Sequence, residues 1–358
     1  RRSSKEGYNM KRKTIAILFG GKSSEYEVSL QSAAAIIKNF PQEKYDLYLI
    51  GITRAGQWFH YDGEIEKISN DTWNQELLNP VTVCLEPERQ AVMEIVDNKI
   101  IYQQIDAVLP VLHGKNGEDG TVQGLMELAK IPVLGCGLLA SALCMDKYRA
   151  HQLVKAAGIK VTRSVLVHNI NDFNVKALNF PLFVKPLKAG SSYGISKVVK
   201  MEELTKALEY AFNYDNEVIV EEAVEGFEVG CAIIGNDELT VGEVDEIELS
   251  GGFFDYDEKY TLKTSTIHMP ARIDEVTARK IQETAKIIYQ TLACQNFARV
   301  DMFLTPNNEI VFNEVNTIPG FTDHSRFPQM MKGVGFEFSE LIDKIVAIGL
   351  KYADGNFK

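Results

Sequence analysis

Two strand-like segments near the carboxyl end carry an arginine, two carboxylates and an amide in a pattern that restricts the fold. Arg299 and Asp301 are two residues apart, as are Glu314 and Asn316, and the sequence Thr-Pro-Asn-Asn at 305–308 is typical of a turn. Residues two apart on a strand project from the same face. The pattern therefore predicts a β-hairpin with one polar pair on each strand.

A pairing of Leu304 with Glu309 would place all four polar side chains on one face of this hairpin. Apolar residues lie on both faces of both strands, which is typical of buried strands: Val300, Met302, Phe303, Val311 and Phe312. Buried charges need partners or metal ions, and oxygen ligands without His or Cys suit Mg²⁺ held together with substrate phosphates. The hairpin predicts a metal-phosphate site; the alternative is a surface hairpin with solvated charges.

Composition excludes several other classes of protein. The 358 residues, 45% of them hydrophobic, can bury a large core in two or three domains. A net charge of -11 argues against a nucleic-acid partner, which would need a basic face. The longest apolar run, 131–145, contains Pro132 and two glycines, so no membrane association is expected.

The cysteine pattern predicts a protein of the reducing cytoplasm. Five scattered cysteines without a C-x-x-C pair predict neither a disulfide framework nor a zinc site. Residues 1–9 lack an apolar signal region, and we interpret them as a remnant before a native start at Met10.

Strands alternating with helices predict an α/β (α+β) chain that begins with a doubly wound parallel sheet. The first unit has expected strands at 14–19, 47–52, 105–112 and 132–134 and helices at 28–39 and 121–129, with an irregular segment at 56–103. A helix at 139–157 leads to a second unit with strands at 164–167, 181–186, 196–199 and 217–222 and a helix at 202–212. The third unit has strands at 228–234 and 238–244, a helix at 274–294, the hairpin, and a final helix at 338–352. The predicted domains are 10–137, 138–225 and 226–352.

A Gly/Ser loop at 188–194 lies between two expected strands and could fold over phosphates with its backbone N–H groups. It is not a Walker loop, because no helix follows it, and it could equally be an ordinary hairpin. Lys185 favours the phosphate reading, since a lysine on a core-like strand needs an anion nearby. The alternative is a lysine whose ammonium group reaches solvent.

Two further loops follow strands of the first sheet, where such folds bind ligands. Residues 20–25 open a helix whose N-terminus could hold a substrate carboxylate, leaving Glu25 for an ammonium group. The loop 113–120 is rich in glycine, but His113 alone is more often structural than functional. A segment hinged by two glycines at 251–260 resembles a closing lid or a surface decoration. Glu221, Glu222 and Glu228 border a junction where a ribose or amine could bind.

Together these segments resemble the D-alanine:D-alanine ligases of the ATP-grasp superfamily over residues 13–352. The matching motifs are Gly20-Gly21, Glu25, Glu27-Val28-Ser29, His113-Gly114, Gly117 to Gly120, Met145-Asp146-Lys147, Lys185-Pro186, Gly190-Ser191-Ser192, Asp255-Tyr256, Lys259-Tyr260, Arg299 to Asp301, Asn313 to Asn316, and Pro319-Gly320. The resemblance implies an ATP-grasp fold, ATP as co-substrate and two Mg²⁺ or Mn²⁺ ions. It also implies a homodimer that acts on D-amino acids.

The resemblance assigns roles residue by residue. It implies ATP contacts for Lys147, Lys185, Ser191, Glu221, Val224, Glu228 and Lys259, and metal ligation by Asp301, Glu314 and Asn316. It implies catalytic roles for Glu25, Ser191, Tyr260, Arg299 and Gly320, with Arg299 and the Gly320 N–H forming an oxyanion hole. It implies substrate contacts for Glu25, Val28, His113, Asp245, Phe254, Ser325 and Arg326.

Three positions depart from the usual ligase pattern. Glu222 stands where many members have a lysine, which puts its nucleotide contact in doubt. Arg326 replaces the leucine that usually follows Ser325, and Phe254 replaces a common tyrosine. Both features resemble the vancomycin-resistance D-alanine:D-serine ligases of the VanG type. We therefore expect a ligase that joins D-alanine to D-serine, with D-alanine:D-alanine ligation as the alternative, since Arg326 could bind only the acceptor carboxylate.

Three rival functions are less compatible with the motifs. Another ATP-grasp carboxylate-amine ligase is the nearest. A nicotinamide oxidoreductase lacks the required G-x-G-x-x-G, and a non-catalytic nucleotide-binding module would not need the four polar hairpin residues.

Overall fold

A computed structural model describes residues 12–188, 193–249 and 265–356. The first elements are β1 (Lys13–Gly20), α1 (Tyr26–Asn39), β2 (Tyr45–Ile52), β3 (Trp58–Tyr61), α2 (Ile65–Ser69), β4 (Val81–Val83), β5 (Ala91–Val96), β6 (Lys99–Gln104), β7 (Ala107–Pro110), α3 (Thr121–Leu128), α4 (Leu138–Met145) and α5 (Lys147–Ala156). Then come β8 (Lys160–Val161), β9 (Ser164–Val167), β10 (Leu182–Pro186), β11 (Ser196–Val198), α6 (Leu204–Phe212), β12 (Val218–Glu222), β13 (Phe227–Gly235), β14 (Leu239–Leu249), β15 (Ser265–His268), α7 (Glu275–Thr291), β16 (Phe297–Leu304), β17 (Ile310–Asn316), α8 (Arg326–Lys332) and α9 (Phe338–Asn356). No helix in these described ranges is long and apolar enough to cross a membrane.

The amino-terminal sheet has the order β3-β2-β1-β7. Strand β1 pairs in parallel with β2 and β7, and β3 adds an antiparallel edge. Alternate residues of β1 are buried on opposite faces: Ile17 packs in one cluster with Leu30 of α1, and Leu18 in another with Met126 of α3. Helices covering both faces explain why β1 is apolar from Ile15 to Phe19, and the predicted doubly wound α/β unit is confirmed.

The prediction that 56–103 is irregular was wrong. This segment contains β3, α2 and an antiparallel sheet of order β4-β5-β6. Strand β6 is almost entirely exposed, β4 has only three residues, and β5 reads AVMEIV, which does not alternate between apolar and polar residues. No run of alternating apolar and polar residues was therefore available to indicate them.

A buried carboxylate joins this small sheet to the amino-terminal sheet. Glu94 accepts hydrogen bonds from the Tyr48 hydroxyl at 2.9 Å and the Asn79 amide at 2.7 Å, and lies 3.0 Å from His60 Nδ1. Burial acts to raise the pKa of Glu94, but the hydrogen bonds from these three side chains outweigh it and lower the pKa below 4.5.

We expect Glu94→Gln to lower the free energy of unfolding at pH 7 by about 1–3 kcal/mol, because buried donors lose their anionic acceptor. A carboxylate with a lowered folded-state pKa stabilises the protein above its unfolded-state pKa, and the contribution disappears as the pH falls through the folded-state pKa. The difference between wild type and variant, measured by urea unfolding, should therefore shrink below about pH 4.5. A difference that stays constant down to pH 3 would contradict the assignment.

The single helix predicted at 139–157 is two helices, α4 and α5. Asp146 between them has an extended backbone, and its side chain accepts a hydrogen bond at 2.9 Å from the backbone N–H of Arg149. This N-cap satisfies a donor that a new helix leaves unpaired, so the chain turns here and Lys147 becomes the first residue of α5. The strand predicted at 132–134 is a single bridge, from Val133 to Val108.

The rest of the chain forms two further sheets. The antiparallel sheet β11-β10-β12-β9 carries Lys185 and Glu221 on neighbouring strands. The six-stranded sheet β15-β14-β13-β16-β17-β8 carries the predicted hairpin as β16 and β17. Strand β14 extends to Leu249, five residues beyond the expected end at 244. The domain limits at 137 and 225 stay a prediction.

Candidate active site

The hairpin forms with a different register from the expected one. Leu304 pairs with Ile310 and not with Glu309, and the register shifts between Asp301 and Met302. The shift restores the expected outcome, because Arg299 lies opposite Asn316 and Asp301 opposite Glu314. The four polar side chains therefore share one face, as the sequence predicted.

The two polar side chains on β16 are buried, and Glu314 and Asn316 on β17 are partly exposed. Arg299 is 4% exposed and Asp301 is 1% exposed, which excludes a solvated surface hairpin. Arg299 donates from Nε at 2.8 Å and from Nη2 at 2.7 Å to the two oxygens of Asp301. The Asn316 amide donates to the same carboxylate at 2.7 Å. A paired arrangement of this kind keeps both charges of the Arg299–Asp301 pair in the interior.

A second buried arginine lies beside this pair. Arg326, the first residue of α8, donates to both oxygens of Asp245 at 2.7 and 2.8 Å and to Glu228 at 3.1 Å. Its Nη2 also lies 3.5 Å from Asp301. A Cβ on Gly230 would lie 2.3 Å from Nη2, so a side chain larger than that of glycine would force the guanidinium to move.

The carboxylates in this cluster compete for the arginines. Burial raises the pKa of Glu228 to about 7; Arg326 opposes this shift, while the charges of Asp301 and Glu314 add to it. The cluster thus holds acidic groups that favour an additional cation.

On the facing sheet, Lys185 forms an ion pair with Glu221 that is largely buried. Burial acts to lower the pKa of Lys185 and to raise that of Glu221, but their mutual attraction outweighs burial and shifts each pKa in the opposite direction. Both groups are therefore charged at neutral pH. The expectation that Lys185 needs an anion is met here by Glu221, which also accepts a hydrogen bond from Thr162 at 3.2 Å.

The remaining residues with implied nucleotide contacts border this pair. Lys147 lies 3.9 Å from Glu314, which links the start of α5 to the hairpin. Val224 is partly exposed just beyond β12. Glu222 instead accepts hydrogen bonds from the backbone and side chain of Asn179 and pairs with Arg163 at 3.1 Å, which accounts for it structurally.

Glu25 lies at the start of α1 against the loop after β7. It is 4% exposed, and its backbone N–H donates to the Ser23 hydroxyl at 3.1 Å. A Cβ on Gly114, whose φ is +75°, would lie 2.6 Å from Glu25 Oε2, so only glycine allows this approach. Val28 is partly exposed on the first turn of the same helix.

The loop that contains Gly320 is held by the amino-terminal unit. His113 Nδ1 donates to the Ile318 carbonyl at 2.9 Å, and Glu118 accepts from the Ile318 N–H at 3.3 Å. The Ser32 hydroxyl accepts from the Phe321 N–H at 3.2 Å and lies 3.3 Å from His113 Nε2. The contacts of His113, made directly to Ile318 and through Ser32 to Phe321, hold both flanks of Gly320, and its contact with the first substrate stays a prediction.

Ser325 stands beside Gly320 and next to Arg326. Its hydroxyl accepts from the Thr322 N–H at 2.9 Å and contacts the Thr322 hydroxyl at 2.8 Å. A Cβ on Gly320 would lie 3.1 Å from this hydroxyl. Ser191, Phe254, Lys259 and Tyr260, with the predicted lid, lie outside the described residues.

The donor chemistry of the hairpin fits a hard cation. In the part of the chain that the structure describes, no three His, Cys, Asp or Glu side chains converge closely enough to hold a metal ion by themselves. Asp301 and Glu314 supply carboxylates, and Asn316 supplies an amide oxygen. Such a set is typical of Mg²⁺ only when substrate phosphates complete the coordination.

Several site residues were not expected from the sequence. Ser32 and Thr162 connect predicted residues, and His151 donates from Nε2 to the Asn313 carbonyl at 2.7 Å. Burial lowers the pKa of His151. None of them belongs to a spaced motif, because each acts through a contact between distant segments.

The comparisons with known proteins agree with this arrangement. Family models described as the N-terminus and C-terminus of D-ala D-ala ligase match residues 14–136 and 152–347. Vancomycin C-type resistance protein VanC2 of Enterococcus casseliflavus is 42% identical over 355 residues, covering 94% of this chain and 98% of that protein. The D-alanine–D-alanine ligase of Caldicellulosiruptor bescii is 41% identical over 350 residues, covering 94% and 95%.

A solved ligase structure is also similar to this chain over nearly its whole length. The VanG D-Ala:D-Ser ligase from Enterococcus faecalis has a TM-score of 0.87 and 57% sequence identity, covering 94% of this chain and 99% of that chain. The match extends over the sheets that carry both halves of the site, and the expected ATP-grasp fold is confirmed. The chain therefore belongs to the D-Ala-D-Ala ligase family and is a ligase of the ATP-grasp superfamily.

Proposed function

We propose that this ligase uses ATP to join D-alanine to D-serine through a D-alanyl phosphate, and that its product supplies altered peptidoglycan precursors for vancomycin resistance. The alternative is D-alanine:D-alanine ligation in ordinary cell-wall synthesis. A vancomycin C-type resistance protein and a D-alanine–D-alanine ligase have similar identities to this chain, 42% and 41%, whereas the VanG D-Ala:D-Ser ligase reaches 57%.

The observation that carries the serine assignment is the buried cluster around Arg326. An acceptor pocket ending in leucine would be apolar, whereas this one ends in a guanidinium that is 7% exposed. Asp245 holds Nε and Nη2 in a fixed orientation, and Nη1 retains a second hydrogen beyond the bond to Glu228. We infer that this hydrogen binds the D-serine hydroxyl, with Asp245 orienting the guanidinium.

The first chemical step must activate a carboxylate, because an amine does not attack a carboxylate ion in water. The carboxylate oxygen of the first D-alanine attacks the γ-phosphorus of ATP, and the bond from that phosphorus to the β,γ-bridging oxygen breaks to release ADP. Glu25 binds the ammonium group of this D-alanine, and Lys147 and Lys185 contact ATP phosphates. Their fixed positive charges stabilise the transferring phosphoryl group.

In the second step the amine of the acceptor attacks the acyl carbon. The carbonyl oxygen gains negative charge, which Arg299 and the Gly320 N–H stabilise. The bond from the acyl carbon to the phosphate oxygen then breaks as the amide forms, and the proton lost by the amine leaves with the phosphate. The contacts of His113, Ser32 and Glu118 with the flanks of Gly320 hold that N–H in place. Pre-positioned donors are effective because they need no reorganisation during the reaction.

Asp301, Glu314 and Asn316 are the residues that would hold divalent metal ions in this site. Bound ions supply charge neutralisation for the phosphate groups of ATP. Arg299 then has two functions, as the partner of Asp301 and as an oxyanion donor.

The direct test is phosphate release with D-alanine alone and with D-alanine plus D-serine, with each dipeptide identified by mass spectrometry. We expect D-alanyl-D-serine to dominate when both acceptors are present at equal concentration. Dominant D-alanyl-D-alanine would support the alternative. Turnover only with other amino acids would indicate a different carboxylate-amine ligase, and ATP binding without turnover would indicate a nucleotide-binding module.

A further inference from the structure

An unpaired residue in β17 decides which way the predicted metal ligands face. Between Met302, which pairs with Phe312, and Asp301, which pairs with Glu314, the register skips Asn313. Without this bulge Asp301 would lie opposite Asn313, and Glu314 and Asn316 would project from the other face of the hairpin. One extra residue in β17 thus places Glu314 and Asn316 on the same face of the hairpin as Arg299 and Asp301.

A bulge leaves backbone groups without partners in the strand ladder, and buried groups of this kind need another partner. His151 of α5 supplies it, because its Nε2–H donates to the Asn313 carbonyl at 2.7 Å. The His151 ring also packs edge-on against Phe312, with 5.2 Å between ring centroids. His151 is 2% exposed, so water cannot easily replace it.

The other side of the His151 ring faces the nucleotide half of the site. Its Nδ1 lies 3.5 Å from the Thr162 hydroxyl, which donates to Glu221 at 3.2 Å. Glu221 in turn forms the ion pair with Lys185. The buried His151 side chain therefore contacts the bulge of the β16–β17 hairpin directly. Through Thr162 it also reaches Glu221, the ion-pair partner of Lys185.

We propose that His151 is a positioning residue that stabilises the Asn313 bulge and thereby directs Glu314 and Asn316 towards a divalent cation. This inference rests on the proposed function, since it assumes that these side chains bind metal. It adds a residue that touches neither substrate nor metal and acts only through the backbone of β17.

The test compares Mn²⁺ binding by wild type and variants in the presence of a non-hydrolysable ATP analogue, followed by the electron paramagnetic resonance signal of free Mn²⁺. His151→Phe keeps the ring but removes the donor, and we expect Mn²⁺ to bind roughly 10- to 100-fold more weakly, as when other outer-shell partners of metal ligands are removed. His151→Gln and His151→Asn form a matched pair of amides. The Gln amide can reach the Asn313 carbonyl, whereas the Asn amide is one bond shorter, so Gln should restore affinity and Asn should not.

His60→Phe is the control for general loosening. His60 is also a partly buried histidine, bonded to Glu94 and stacked on Tyr48, but it lies in the amino-terminal sheets away from the hairpin. We expect it to lower the melting temperature without changing Mn²⁺ affinity. If His60→Phe weakens Mn²⁺ binding as much as His151→Phe, the positioning role is overturned.

The remaining outcomes separate this inference from the proposed function. If wild type binds Mn²⁺ and His151→Gln and His151→Asn have the same Mn²⁺ affinity as each other, His151 does not position the ligands. This conclusion holds whatever Mn²⁺ affinity His151→Phe shows. If wild type with the nucleotide analogue binds no Mn²⁺, the metal assignment in the proposed function fails and this inference fails with it.

Discussion

Glu314→Gln is expected to abolish ligation while leaving the fold intact. The side chain is 27% exposed and forms a long ion pair with Lys147, at 3.9 Å, and glutamine has nearly the same size and shape, so the fold should tolerate the change. A bound metal ion supplies several kcal/mol of charge stabilisation, so loss of an anionic ligand should lower kcat by at least about 10³-fold. Phosphate release at saturating Mg²⁺, with thermal unfolding measured in parallel, tests this.

Glu309→Gln is the matched control for this experiment. Glu309 lies at the turn of the same hairpin, exposed and paired with Lys160 at 2.7 Å. The identical chemical change there should leave turnover unchanged. Near-normal turnover of Glu314→Gln would disprove its metal-binding role, and a variant that only melts earlier would indicate a structural one.

Arg326→Leu is expected to lower stability and change the acceptor together. The substitution leaves Asp245, which is 0% exposed, without its charged partner. Removing one partner of a buried ion pair costs about 3–5 kcal/mol, which urea unfolding would measure. The variant should also favour D-alanine over D-serine by roughly tenfold relative to wild type, since an unsatisfied buried donor costs about 1–3 kcal/mol.

The double variant Asp245→Asn/Arg326→Leu separates these two effects. It removes the unpaired buried charge of Asp245, so a large part of the lost free energy of unfolding should return. The changed acceptor preference should remain. Preference is measured as the ratio of kcat/KM values for the two acceptors, which does not depend on the fraction of folded enzyme. An unchanged ratio in both variants would mean that Arg326 does not read the serine hydroxyl.

Much of the site could be predicted because its residues occur in short segments with a characteristic spacing. Arg299 with Asp301 and Glu314 with Asn316 identified one face of a hairpin through the two-residue repeat of a strand. Lys185 on an apolar strand required an anionic partner, and the structure supplies Glu221. The shared hairpin face and the need for an anion beside Lys185 could be inferred because local periodicity and the cost of burying charge act within a few residues; the contact of Lys185 with phosphate stays a prediction.

Other features depended on contacts between distant segments. The Asn313 bulge changed the expected register, and it forms against His151, 162 positions earlier in the chain. Only the tertiary structure shows that His113 forms a hydrogen bond to Ile318 in the Gly320 loop, 205 positions later in the chain. Strand β6 escaped prediction because an edge strand exposed on both faces has no alternating apolar pattern.

The sequence by itself determined the α/β alternation of the first sheet, the family resemblance and the polar residues of the hairpin, because these follow from periodicity, motif spacing and charge. Only the tertiary structure decided the hairpin register and the partners of Lys185 and Arg326. It also decided how the amino-terminal unit holds the Gly320 loop. Each of these depends on which hydrogen-bond donors and acceptors come into contact after distant segments pack together. The local sequence does not specify those partners.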